Sequence, residues 1–241
     1  MPAIRPYESP ALQFLLGPAL RPGGLSVTQR AAELCDFSGK DRVVDLGCGL
    51  GATVDFLSRR EIDASGLDCS ASMLAKARSR YPSARLVRAD ADRLPFRSEI
   101  LDGVFCECVF SLLRDPVLVL AEVHRVLVGR GRWALSDLYL QPQSHPPTPA
   151  GVSPISCLAG ARLRPQMDLM LQDAGFSILA WEDHTDRLKH LAAELVFAGI
   201  PLSEFFAFPS AGLHLQMPLQ DGKPAKPGFA LWILQKESCR G

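Results

Sequence analysis

The sequence predicts an α/β protein, a mostly parallel sheet with helices on both faces. Two observations carry this. From residue 42 onward, apolar strand-like runs alternate with helix-like stretches, the rhythm of parallel strands joined by right-handed crossovers. The first such run, "VVDLG", meets Gly47, Gly49 and Gly51 at alternate positions just before a helix. The length of 241 residues, with 47% hydrophobic and 22% charged residues, suits one soluble domain over 1–241.

The elements follow in order. Residues 1–25 are rich in Pro and Gly and read as an irregular, lid-like segment. A helix starts at Ser26, where Gln29 completes a capping-box spacing and Ala31, Ala32, Leu34 and Cys35 supply an apolar face. "RVVDLG" (42–47) is a buried strand, "ATVDFLSRR" a helix and "ASGLD" a second strand. Ser70 caps a helix that stops before Pro82. "ARLVRAD" (84–90) and "LDGVFCECV" (101–109) are the third and fourth strands. Asp115 caps a helix with Pro116 in its first turn, which runs to a stop at Gly129 and Gly131. "GRWALSDLYL" is the fifth strand, and 26–140 form the core of the domain. In 141–241, a Pro-rich connection (141–154) precedes a helix ending at Gly175, the strand "FSILAWED", a helix over 186–199 and a last strand, "FALWILQK".

Composition excludes several classes. Lys+Arg and Asp+Glu are both 26, so the balance supports neither a nucleic-acid nor an anionic-membrane surface. No apolar run is long enough to span a bilayer, and the N-terminus lacks the order of a signal peptide. Seven cysteines, an odd number without a C-x-x-C pair, read as reduced thiols of a cytoplasmic protein. Cys106 and Cys108 are spaced wrongly for a zinc knuckle, and no metal site is expected.

Glycines between a strand and a helix let a ligand approach the backbone, and the helix that follows points N–H groups at it. Asp68 ends the second strand about twenty residues later, placed to accept from two ribose hydroxyls. Asp90 ends the third, where a carboxylate can take an adenine amino group and the Ala91 N–H a ring nitrogen. The glycine spacing is G-x-G-x-G, but Ala52 also satisfies the dinucleotide pattern, so spacing alone leaves a dehydrogenase open.

The surrounding residues discriminate better. "VVDLGCGLG", "GLDCSASMLAKAR", "ADADRLPF", "LDGVFCECVFSLL" and "EVHRVLVGRGRWALSDLY" resemble, in order, the motifs of class I S-adenosylmethionine-dependent methyltransferases. The likeness is to the branch holding ubiquinone/menaquinone-biosynthesis and arsenite methyltransferases, and the C-terminal "CLAGARL…LQDAGFSILAWEDHT…PGFALWILQK" fits that branch too. The resemblance implies a Rossmann-like seven-stranded sheet with its last strand antiparallel, and S-adenosylmethionine as cofactor. It implies that Gly47, Gly49 and Gly51, with Cys48 between them, admit the methionine moiety, and that Asp45 orients the loop and contacts the amino group directly or through water. It implies that Asp68 holds the ribose with Cys69 and Met73 around the adenosine, that Asp90 and Ala91 read the adenine, and that Cys106 lies near the carboxylate or the methyl path. The family's "K-P-G-G" before the fifth strand is "VGRG" here.

Methyl transfer from a sulfonium requires alignment and exclusion of water more than a catalytic triad, and no catalytic residue is assigned. His124 and His184 are candidate bases, each with a structural role as the alternative. The expected acceptor is a small molecule, with Tyr7, Phe14, Phe205 and Phe206 as candidate walls of an apolar pocket. Two alternatives stand beside this reading. Cys106, Cys108 and Cys157 would bind a thiophile as in the arsenite enzymes, although the Cys expected after the glycine loop is missing from "GATVDFL". Or the protein binds the cofactor, or acts as a scaffold, without methyl transfer.

Overall fold

The structure, a computed structural model, describes residues 6–141, 157–200, 202, 219–220, 223–224 and 226–238. The Pro-rich connection beyond Gln141, and Phe205 and Phe206, lie outside the described residues.

Val43, Val44 and Leu46 are buried on both faces of β1 (Arg42–Leu46), as a central parallel strand requires. β2 (Asp63–Asp68) and β3 (Arg85–Arg88) extend the sheet to one side, all parallel. β4 (Leu101–Glu107) pairs with the other edge of β1, and β5 (Leu127–Leu140) follows it, again parallel. A two-residue β6 (Arg162–Leu163) adds to the end of β5 through Tyr139↔Arg162. β7 (Phe176–Asp183) is the far edge of the main path. β8 (Leu219–Gln220) and β9 (Lys223–Pro224) pair only with each other. β10 (Pro227–Lys236) inserts between β5 and β7, antiparallel to both. The order is β3-β2-β1-β4-β5-β10-β7. This is the Rossmann-like sheet that the sequence implies, with its last strand antiparallel and β6 as an extra strand. The chain reverses its direction of travel between β1 and β4, so a crevice opens where their carboxyl ends diverge.

Seven helices accompany the strands among the described residues: α1 (Pro10–Leu16), α2 (Leu25–Cys35), α3 (Ala52–Ser58), α4 (Ala71–Arg80), α5 (Pro116–Val126), α6 (Arg164–Asp173) and α7 (Thr185–Phe197). Alternation along the strands separates two cores. Val43 and Phe105 pack with Val27 and Ala31 of α2, Val54 and Leu57 of α3 and Leu188 of α7. Val44, Val104 and Cys106 pack on the other face with Leu120 and Val123 of α5 and Leu171 of α6. None of the described helices is long and apolar enough to cross a membrane.

Three expectations change. The N-terminal segment is not wholly irregular: Pro10 starts α1, whose Leu12 packs on Leu191 and Leu195 of α7. The capping box at Ser26 does not form. Gly24, at φ +53°, turns the chain into α2 one residue early, and the Ser26 hydroxyl donates back to the Gly23 carbonyl. Gln29 donates instead to Glu33. Finally, α5 ends at Val126 rather than at the glycines, and β5 begins at once. Its pairing jumps from Leu101↔Leu127 to Gly103↔Arg132, so Gly129 and Gly131 flank a bulge with Arg130 at φ +67°. The caps at Ser70 and Asp115 form as expected, through Met73 N–H and through the Val117 and Leu118 N–H groups.

Candidate functional site

The turn after β1 is built by backbone geometry. Gly47, Gly49 and Gly51 have φ of +74°, +50° and +80°, values that L side chains rarely adopt. Their surroundings differ. A Cβ on Gly47 would lie 2.4 Å from the Val109 side chain, whereas one on Gly49 would meet only the Met73 methyl, at 3.5 Å. Gly51 faces Ala77 and Tyr81 of the α4 region. The turn is fastened to the end of β2. The Gly47 and Cys48 N–H groups donate to the Leu67 carbonyl at 2.7 and 2.9 Å, and the Asp68 carboxylate accepts from Gly49 N–H and Ser70 N–H, both at 2.8 Å.

A cleft of about 940 Å³ lies over this turn, across the carboxyl ends of β1, β2, β3 and β4. Of the eleven residues assigned to the cofactor in the sequence, eight line it: Gly47, Cys48, Gly49, Asp68, Cys69, Met73, Asp90 and Ala91. Three do not. Gly51 packs beneath the turn as the N-cap of α3. Cys106 is fully buried in the core under α5 and α6, because β4 alternates and turns its neighbours Phe105 and Glu107 to the opposite face. Asp45 is buried below the cleft, and no hydrogen bond from the described residues reaches its carboxyl, so it does not orient the loop by direct contact.

Sequence reading missed two residues of the site. Glu107, at the end of β4, is buried and accepts from Thr28 Oγ1 at 2.9 Å and Thr53 Oγ1 at 2.7 Å. Arg21, from the N-terminal segment, lies 2.9 Å from the same carboxylate and also donates to both threonines. An acid inside the apolar run "GVFCECVF" was a readable signal for Glu107; Arg21, in a Pro/Gly-rich stretch, offered none. The Arg21 Nε–H is buried with no partner among the described residues. Burial, with Glu107 and Asp68 nearby, pushes the Asp45 carboxyl well above the usual range, while Arg21 opposes that shift. Asp68 and Glu107 line the cleft beside the turn with Arg21 against Glu107, while Asp45 lies below it with its carboxyl held toward the neutral form. Two carboxylates facing the cleft against one guanidinium disfavour a pyrophosphate and favour a cationic ligand.

The remaining candidates sort clearly. Tyr7 lines the cleft, but Phe14 is exposed on α1. Neither histidine lines the cleft: His184 pairs with Glu182 at 3.3 Å, and His124 packs edge-on to Phe176. Cys108 lines it, and Cys157 packs against the neighbouring core. Burial holds all three thiols of the thiophile reading protonated, with Cys157 pushed up to about 12 and Cys106 and Cys108 also raised. Among the described residues, no three His, Cys, Asp or Glu side chains converge as a metal site.

Residues 44–135 match the family model for a methyltransferase domain. The methyltransferase GfsG of Streptomyces halstedii is 27% identical over 180 residues, 70% of this chain and 65% of that protein. The demethylmenaquinone methyltransferase of Thermotoga maritima is 31% identical over 112 residues, 46% of this chain and 49% of that protein. The chain thus spans half to two thirds of the length of these relatives. Among solved structures, the [4+2]-cyclase SpnF superposes with a TM-score of 0.74 at 20% identity, covering 96% of this chain and 93% of that one.

Proposed function

We propose that this chain, whose core is a class I S-adenosylmethionine-dependent methyltransferase domain, binds S-adenosylmethionine in the cleft and transfers its methyl group to a small-molecule acceptor. The observation that carries this is the buried carboxyl set around the glycine turn. A sulfonium and an ammonium both suit Asp68 and Glu107, which line the cleft, whereas a dinucleotide pyrophosphate does not. The unpartnered Arg21 Nε–H suits the methionine carboxylate. Asp68 can accept from ribose hydroxyls while keeping Gly49 and Ser70, because each carboxylate oxygen offers two acceptor sites. Asp90 and Ala91 suit the adenine edge, and Cys48, Cys69 and Met73 the apolar faces of the adenosine. Gly51 acts indirectly, by starting α3.

The cofactor supplies a methyl group already activated on a positively charged sulfur. The chain's own residues bind, align and exclude water. Glu107 and Arg21 fix the wall where β4 ends, and Tyr7 of the N-terminal segment covers the adenosine side of the cleft. Glu8 fastens that segment by accepting from the Ser70 and Ser72 hydroxyls at 2.6 and 3.1 Å. Fold likeness alone does not give methyl transfer, since a cyclase shares this fold. The deciding assay follows S-adenosylhomocysteine release on mixing protein and S-adenosylmethionine with a fractionated small-molecule extract. Release that needs both extract and intact Asp68 is expected. Cofactor binding without release in any fraction would favour a binding protein without transfer.

A further inference from the structure

Beyond β4 the cleft continues over the ends of β5 and β6, away from the adenine end. Two turns form its wall. One is the 3-10 turn Phe110–Leu112, held by Asp137: Ser111 N–H and Oγ–H donate to that carboxylate at 2.8 and 2.6 Å, and Leu138 N–H at 2.6 Å. The other runs from Cys157 to Ala161 and is pressed against the first, because Gly160 lies so close to the Ser111 carbonyl that a Cβ would overlap it. Register pairing of Tyr139 with Arg162 then sets Arg162 at this wall.

The Arg162 guanidinium is half-buried and lines the cleft. Among the described residues it makes one hydrogen bond, from Nη1 to the Gly160 carbonyl at 2.9 Å, and no ion pair. Asp137 lies behind it, attracts it without forming an ion pair, and accepts from Ser111 and Leu138. The cleft's other arginines differ: Arg21 is neutralised by Glu107, and Arg114 is exposed at the rim. Among the described residues this guanidinium keeps four of its five donors uncommitted inside the cleft and forms no ion pair, so it is open to an anionic group. We infer that the methyl acceptor carries an anionic oxygen group, a carboxylate or a phosphate, and that Arg162 binds it in the half of the cleft beyond β4. Planar, paired N–H donors suit that recognition. The inference rests on the methyltransferase reading, because only that reading makes this half of the cleft the acceptor side.

The test uses the full chain saturated with S-adenosylhomocysteine and titrated with inorganic phosphate or with malonate at constant ionic strength, followed by NMR of the anion. Saturable binding of at least one anion is expected, and the stronger one identifies the group. Arg162→Gln should weaken it about ten- to hundredfold, the effect of losing hydrogen bonds to a charged group, and Arg162→Lys should weaken it less. Affinity for S-adenosylhomocysteine should be unchanged in both variants, which also shows that they fold. No saturable anion binding to the loaded wild type, or equal binding to Arg162→Gln, overturns the assignment. Loss of S-adenosylhomocysteine affinity in folded Arg162→Gln would give the guanidinium to the cofactor and overturn it as well. Failure of the wild type to take S-adenosylhomocysteine is a different result: it removes the methyltransferase reading, and this inference with it.

Discussion

Asp68 serves two purposes with one carboxylate. It ties Gly49 and Ser70 together and faces the cleft where a ribose would lie. Asp68→Ala should therefore lower S-adenosylhomocysteine affinity by about tenfold or more, measured by calorimetry. Unchanged affinity would remove the ribose assignment. Gly49 is bound by conformation rather than by crowding, so Gly49→Ala should cost about 1–2 kcal/mol through its φ of +50°. Asp137 gives a pH signature. Burial raises its carboxyl to about 6, outweighing the Ser111 and Leu138 donors. A folded-state value above the unfolded one contributes stability that is complete below about pH 4 and is lost as pH rises through 6. The stability of the wild type relative to Asp137→Asn should thus grow on acidification from pH 7 to pH 4; urea titrations at both pH values check it. At this scale the sequence disclosed the residues that end strands in a recognisable pattern. It hid Arg21, whose role depends on a fold that brings a Pro/Gly-rich segment against β4.

Helix caps show what local sequence can and cannot decide. Ser70 and Asp115 cap as their spacing predicts, and replacing either by Ala should cost about 1 kcal/mol in a denaturant melt. Ser26 matches the same pattern but stands inside the first turn of α2, so Ser26→Ala should change stability by less than about 0.5 kcal/mol. The difference comes from Gly24, whose left-handed turn fixes the start of the helix before a serine cap can form. The α5–β5 junction departs from its sequence expectation for a related reason. Gly129 and Gly131 have the composition of a helix stop, but pairing with β4 draws Leu127 into the strand and leaves the glycines to form a bulge. Strand pairing is a tertiary event and overrides the local signal.

At the scale of the molecule, alternating strands and helices were enough to predict a parallel sheet, and the order of the motifs implied its antiparallel last strand. What stayed hidden was how the two faces divide the strand-end residues. Period-two alternation sends Cys106 into the core and Glu107 toward α2 and α3. It thereby takes Cys106 out of the cleft and sets Glu107 in its wall. On the proposed reading, Asp68 and Glu107 in the cleft favour a sulfonium cofactor over a dinucleotide, where glycine spacing could not decide. The most direct test is calorimetric titration of the full chain with S-adenosylmethionine, S-adenosylhomocysteine and NAD. Binding of the first two at one site per chain, with no heat from NAD, is the predicted result; binding of NAD alone would contradict it.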